Sequence, residues 1–360
     1  MKIGYYLDRL AMCGETKTVA RHLAMLDDMG HQVLLFTRNV ETSFHFGLRP
    51  IIVTGMAEVA AHGVQALVCS SLQDFRKTRA SGCSSIMLHQ ASDLDRLREE
   101  YALRRGDRRA GCVRRLFLGL GHGLRRGAVL RQYRAPAVRW VTAPHLQKLF
   151  WEVFGQESAL VRDYVDDVYR PGERGDGPRT LLCIGDRQLE HHNVPFVYES
   201  LRRLKAEQPF RLVRVSPRPI SRSEPGVELA DECHVIESDA QMAGLFRQAD
   251  ALLAPYLTEG VGLLALEAMA CRTLCMLSAI EPHMRYADPL PEKPAQFALF
   301  FDPREPETLT SLVSRLFRQP QVFERVRDAG LTLSRFYTPE GAREDLRQAL
   351  KGLPAKGSAR

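Results

Sequence analysis

Short apolar runs alternate along the chain with longer stretches in which apolar positions recur at helical spacing. The runs fall at 2–6, 33–37, 50–53, 66–70, 85–89 and 138–142, and again at 180–184, 211–215, 233–236, 251–255, 274–277 and 298–301. Runs of that length without polar alternation predict strands covered on both faces, and the helical stretches between them predict the crossovers of parallel sheets. The chain therefore reads as α/β. One segment breaks the rhythm: Tyr169-Arg170-Pro171-Gly172-Glu173-Arg174-Gly175-Asp176-Gly177-Pro178 combines Pro, Gly and charge, and is read as a linker over 169–178. The expected organisation is a first parallel-sheet domain over 1–168, completed by a C-terminal helix at 339–355, and a second over 179–338.

At 360 residues and 45% hydrophobic, the chain has material for two cores. The strand pattern starts at Met1 with no basic-apolar leader, and no apolar run approaches the roughly 18 residues of a spanning helix, so a cytoplasmic protein is expected. The eight cysteines are scattered without Cys-x2-Cys pairs, and read as reduced thiols. Cys271 and Cys275 would be half of a metal site with no second half nearby, so no metal is expected. Charge is concentrated: residues 96–139 hold thirteen Arg against Glu99, Glu100 and Asp107, a balance of +10, while the whole chain carries +7. Val113, Leu116, Phe117, Leu120 and Leu124 recur at helical spacing among those arginines. This is either a basic amphipathic helix suited to an anionic membrane surface or acidic acceptor, or the solvated face of an ordinary helix. No aromatic interleaving or recognised motif supports nucleic-acid binding.

The chemistry concentrates in Thr258-Glu259-Gly260-Val261-Gly262-Leu263-Leu264-Ala265-Leu266-Glu267-Ala268-Met269-Ala270. Glu267 stands in an otherwise apolar helix pattern, and a carboxylate so placed needs a partner, either an internal Arg or ligand hydroxyls. Gly260 and Gly262 permit a tight turn where the helix begins, and the free N–H groups of a helix start favour phosphate.

The two glutamates resemble the Glu-x7-Glu signature of retaining GT-B glycosyltransferases of family four, where Glu-Gly-Phe-Gly-Leu precedes Glu-Ala-Met-Ala; Val261 replaces the Phe. The resemblance continues through 161–171, where Asp163-Tyr164 replaces Asn-Gly of the family's interdomain string, through Leu181–Arg187 with His192-Asn193-Val194, and through Phe246–Ala251. It implies two Rossmann-like parallel-sheet domains facing each other across a donor-binding cleft. It further implies that Glu259 contacts the donor sugar, Glu267 holds the ribose, and Arg187 with His192 grips the diphosphate. His192 replaces a Lys, which exchanges a permanent cation for a group with a pKa near 6.5. Arg187 and His191-His192 can equally be a solvated loop and a polar helix start.

Further departures follow. Cys271-Arg272-Thr273-Leu274 lacks the family's Gly and Pro, so Arg272 would take a conformation that Gly normally supplies. Val215-Ser216-Pro217 stands where another Gly is usual. In the first half, Cys13-Gly14-Glu15-Thr16-Lys17-Thr18 matches the family's phosphate-binding turn loosely, with Gly14 as donor contact or simply as a helix-opening turn capped by Thr16 or Thr18. His89 ends a strand where the family often carries a His facing donor and acceptor; it is either catalytic or structural. Asp93-Leu94-Asp95 follows Ser92 and reads as a helix cap, not a metal motif. Gly119-Leu120-Gly121-His122-Gly123 lacks the context of a dinucleotide site.

The combined expectation is a metal-independent retaining glycosyltransferase without cofactor, moving a sugar from a nucleoside diphosphate sugar to a hydroxyl of a glycan, glycolipid or small molecule. Glu259, Arg187 and His89 are expected at the chemistry, and Gly14, Arg187, His192, Glu259, Gly260, Gly262, Leu263 and Glu267 at the donor. The family's usual setting, surface polysaccharide or glycolipid synthesis, implies a cytoplasmic protein, peripheral on the inner membrane face. The alternative is a degenerate GT-B protein that binds a sugar nucleotide, membrane or scaffold without turnover.

Overall fold

The structure is a computed structural model that describes the chain apart from residues 11–13, 41–47, 79–80, 107–111, 174, 176, 237, 289, 291, 295 and 354–360; at 14–15, 103–106 and 112–118 it describes the backbone alone. The chain divides into two compact units, Met1–Tyr101 with Asp107–Asp163 and Pro339–Arg360, and Ala102–Gly106 with Tyr164–Thr338.

The first unit runs β1 (Lys2–Leu10), α1 (Gly14–Asp28), β2 (Gln32–Val40), β3 (Ile51–Ile52), α2 (Met56–Ala61), β4 (Ala66–Cys69), α3 (Leu72–Thr78), β5 (Ser84–His89), α4 (Asp93–Gly106), α5 (Cys112–Arg134), β6 (Val138–Val141), α6 (Pro144–Phe154) and β7 (Ala159–Leu160). The second runs β8 (Thr180–Ile184), α7 (Val194–Glu207), β9 (Arg211–Ser216), β10 (Glu232–Val235), α8 (Asp239–Gln248), β11 (Ala251–Ala254), α9 (Leu263–Ala270), β12 (Leu274–Ser278), α10 (Glu281–Met284), β13 (Leu299–Phe301), α11 (Pro306–Arg318) and α12 (Glu324–Ser334). The last helix, α13 (Pro339–Lys351), belongs to the first unit. There it packs on α1 and β7, and Asp345 accepts a bidentate pair from Arg162.

The two sheets have seven and six strands, in the orders β3-β2-β1-β4-β5-β6-β7 and β10-β9-β8-β11-β12-β13. Every pairing is parallel. β11 and β12 are buried along their whole length, as strands flanked by helices on both faces must be. β1 lies between two neighbours so closely that a Cβ on Gly4 would come within 2.9 Å of Phe36 and 3.0 Å of Leu67. All twelve predicted strands are present; β7 was not predicted, since two residues carry too little periodicity to be read.

The cap at Ser92 is real: its Oγ accepts from Asp95 N–H at 3.2 Å and opens α4. On α5, Leu120 and Leu124 are exposed while Tyr133 is buried. The side chains of Val113, Leu116 and Phe117 lie outside the described residues, and so does Cys13.

The strand orders reverse direction between β1 and β4 and between β8 and β11. In open parallel sheets the helices leave on opposite faces at such a point, opening a crevice beyond the carboxyl ends of the two strands. In the second unit, the turns leaving β8 and β11 carry most of the chemistry singled out above.

Candidate functional site

The turn after β8 is Gly185-Asp186-Arg187. A Cβ at Gly185 would approach Val194 to 3.1 Å and His192 to 3.3 Å, so the turn folds against the start of α7 only with glycine there. Asp186 is buried, and its carboxylate accepts from Arg218 Nε at 2.6 Å and from Gln188 N–H at 2.9 Å. Its own N–H donates to His192 Nδ1 at 2.8 Å. Nδ1 is therefore the acceptor and the ring proton sits on Nε2. Burial, with His191 adding to it, pushes the His192 pKa down to about 4. Where a Lys would offer a cation, this chain offers a neutral N–H donor. Arg187 is half-buried and has no acidic partner among the described residues.

Beneath this turn lies a residue that the sequence did not single out. Arg214, on β9, is fully buried. It donates to the carbonyls of Gly185 at 3.0 Å, Cys183 at 3.1 Å and Val215 at 3.2 Å, and to Tyr198 Oη at 2.9 Å. Glu224 lies 3.8 Å from the guanidinium. Five donors on one planar group can hold the end of β8 and the first peptide of the turn together. An arginine in the apolar run 211–215 gives no periodic signal of this role.

The turn after β11 runs from Pro255 to Gly262. It is tied to the first turn by Leu257 N–H donating to His191 O at 2.9 Å, by Tyr256 Oη donating to Ile184 O at 3.0 Å, and by Asn193 Nδ2 donating to Pro255 O at 3.1 Å. Gly262, at φ 73, ends the turn and precedes α9 with no side-chain cap, so the first N–H groups of the helix are left for a ligand or solvent. Its carbonyl accepts from Tyr286 Oη at 2.9 Å. Gly260 and Leu263 flank this helix start and are half-buried.

Glu259 presents a partly exposed carboxylate beside that start, and its Oε2 lies 2.6 Å from His283 Nε2. His283 is itself fully buried. Glu267, in the body of α9, is 2% exposed and surrounded in sequence by buried apolar residues, as its context predicted. At the far end of α9, Arg272 does take the positive backbone angle expected of a residue in a glycine position, φ 62, and pairs outward with Asp328 at 2.8 Å and Glu324 at 3.0 Å. Ser216 accepts from Arg218 N–H at 3.2 Å.

Arg187, His192, Glu259, Gly260, Gly262, Leu263 and Glu267 thus all lie in the second unit, on two interlocked turns and one helix. Gly14 and His89 lie in the first. Gly14 opens α1, and farther along that helix Thr18 Oγ1 and Arg21 Nη1 donate to the buried Asp163, Arg21 at 2.8 Å. His89 is 2% exposed and packed against Phe150 and Tyr133, with ring centroids 4.4 and 5.3 Å away; neither of its nitrogens has a partner among the described residues. Burial lowers its pKa to about 3, so the imidazole is neutral. Among the described residues no group of three His, Cys, Asp or Glu is placed to hold a metal ion.

The family model for Glycosyl transferases group 1 matches residues 178–319, which include both turns and α9. No curated protein matches the chain. Among solved structures, sucrose-phosphate synthase (tll1590) from Thermosynechococcus elongatus is similar with a TM-score of 0.73 at 15% identity, over 97% of this chain and 98% of that one. Anabaena Alr3699/HepE in complex with UDP-glucose gives 0.71 at 11% identity, over 98% and 100%. WaaG, a glycosyltransferase involved in lipopolysaccharide biosynthesis, gives 0.69 at 14% identity, again over 98% and 100%. The fold is that of GT-B structures, two parallel-sheet α/β domains.

Proposed function

We propose that the protein is a retaining glycosyltransferase that uses a nucleoside diphosphate sugar, without metal or further cofactor. The observation that carries this reading is the interlocking of the β8 and β11 turns at the switch point of the second sheet. On those two turns lie an arginine with no acidic partner among the described residues, an N–H-donating imidazole and an uncapped helix start. Diphosphate would lie against the N–H groups that begin α9 at Gly262-Leu263, with Gly260 giving the backbone room. Arg187 supplies the full positive charge and His192 Nε2–H a neutral hydrogen bond. Glu267 would take the ribose hydroxyls and Glu259 those of the sugar.

The proposed reaction is a front-face displacement. The anomeric C–O bond breaks with its electron pair moving to the diphosphate, the acceptor oxygen bonds on the same face, and the acceptor proton passes to the departing phosphate oxygen. Catalysis is then the stabilisation of the developing diphosphate charge by donors already in place. His89, a neutral imidazole enclosed by Phe150 and Tyr133, takes no part in the proton transfer. The acceptor is a glycan, glycolipid or small-molecule hydroxyl. The exposed Leu120 and Leu124 beside Arg125 and Arg126 would rest on an anionic membrane surface, peripheral on the cytoplasmic side, in surface glycan or glycolipid synthesis.

Titration calorimetry tests the donor site. UDP is tried first because the HepE structure is of a UDP-glucose complex, then GDP and ADP. Selective binding weakened at least about tenfold by Glu267→Ala, roughly 1.4 kcal/mol, supports the site. Absence of binding by all three at millimolar concentration overturns it.

A further inference from the structure

His283 was not among the residues the sequence offered, yet it is the partner of Glu259. Its Nδ1 lies 3.0 Å from the carbonyl oxygen of Ser278, and its Nε2 lies 2.6 Å from Glu259 Oε2. A carbonyl oxygen only accepts, so Nδ1 carries a hydrogen. A neutral imidazole has one N–H, which would leave the Nε2 lone pair facing a carboxylate lone pair at 2.6 Å, a repulsive contact. One more proton, lying between Nε2 and Oε2, resolves it and leaves the pair without net charge. The ring is fully buried, and so is Ser278, so water does not reach the ring nitrogens.

We infer that His283 is a positioning residue for the donor sugar, holding Glu259 as the partly exposed half of an imidazolium–carboxylate pair with a net charge of zero. The inference rests on the donor reading above and extends it. A bare carboxylate beside the start of α9 would repel a diphosphate bound there, whereas a pair of zero net charge does not. Oε2 is committed to the imidazolium, so Oε1 is left to accept from a sugar hydroxyl in a fixed direction.

Groups around the ring supply no competing charge. Tyr256, from the β11 turn, and Tyr286, beyond α10, have ring centroids 6.3 and 5.9 Å from it. Their hydroxyls donate to the carbonyls of Ile184 and Gly262, and burial keeps both phenols protonated. On β12, burial likewise keeps the Cys275 thiol protonated. The charged residues of α10 and its end, Glu281 and Arg285, pair with each other at 2.9 Å on the outside.

The experiment has two arms. In the first, the full chain labelled with ¹⁵N-histidine is examined by NMR at pH 7, with His283 assigned by its loss in His283→Gln. Both ring nitrogens of His283 are expected to be protonated, and Glu259→Gln, whose amide can donate to Nε2, is expected to strip Nε2 of its proton. An unprotonated Nε2 in the wild type, or no change in Glu259→Gln, overturns the inference. This arm needs no ligand, so it stands even if no nucleotide binds and the donor reading fails. In the second, calorimetry compares UDP with UDP-glucose on His283→Gln. UDP affinity within about twofold of wild type and UDP-glucose affinity at least tenfold weaker support a role at the sugar. Equal losses for both ligands overturn it.

Discussion

Gly262→Ala should be among the most damaging single methyl additions in the second unit. An alanine Cβ there would lie 1.9 Å from Tyr286 Oη and 3.1 Å from both Tyr286 Cζ and Glu259 Oε2. The phenol is fully enclosed and cannot tilt freely, so its hydroxyl must leave the Gly262 carbonyl. A positive φ costs a non-glycine residue about 1–2 kcal/mol. Separating a buried hydroxyl from its carbonyl costs about 1–3 kcal/mol more, for an expected total of roughly 2–5 kcal/mol. Guanidinium unfolding followed by far-UV circular dichroism reads this as a lower midpoint at an unchanged slope. Tyr286→Phe in the alanine background removes the colliding oxygen and should return about 1–2 kcal/mol, leaving the backbone strain, while Tyr286→Phe alone loses about 1 kcal/mol. A loss below about 1 kcal/mol for Gly262→Ala, or no recovery in the double variant, would refute the contact as the cause.

Acid should destabilise the protein before its carboxylates titrate. Burial lowers His22 and His192 to about 4 and His89 to about 3, so between pH 6.5 and about 4 the unfolded chain binds protons that the folded chain refuses. Stability then falls as pH falls through that window; urea midpoints at pH 6.5, 5.5 and 4.5 measure this, and His89→Leu should flatten the fall. Arg272→Gly relieves a positive φ while losing only surface ion pairs. Thermal unfolding should show stability unchanged or raised by up to about 1 kcal/mol. Arg214→Met strips three carbonyls and a phenol of their buried donor. Chemical unfolding should show a loss of about 3–5 kcal/mol, and UDP binding should weaken with it, because the Gly185 turn loses its support.

The fold was legible because it is a matter of period. Runs such as Leu181–Ile184 and Ala251–Ala254 are apolar at every position, short, and set between longer helical stretches, as strands covered on both faces are. The short β7 escaped because two residues cannot display a period. Within the site, Glu267 announced itself as a carboxylate in an apolar helix, and the positive φ of Arg272 followed from a residue standing where glycine is expected. Local sequence therefore determined which elements form and which polar residues sit against their surroundings.

Tertiary structure decided the partners. His283 and Glu259 are 24 residues apart, Arg214 and Gly185 are 29 apart, and both contacts join different strand ends. His192 illustrates the limit most directly: its sequence position suggests a phosphate-binding cation, but the N–H of Asp186 and the burial around the ring make it a neutral donor. Protonation depends on the dielectric and on which atoms face each nitrogen. Those are set by chain segments brought together only when the sheet closes, and no local pattern of residues encodes them.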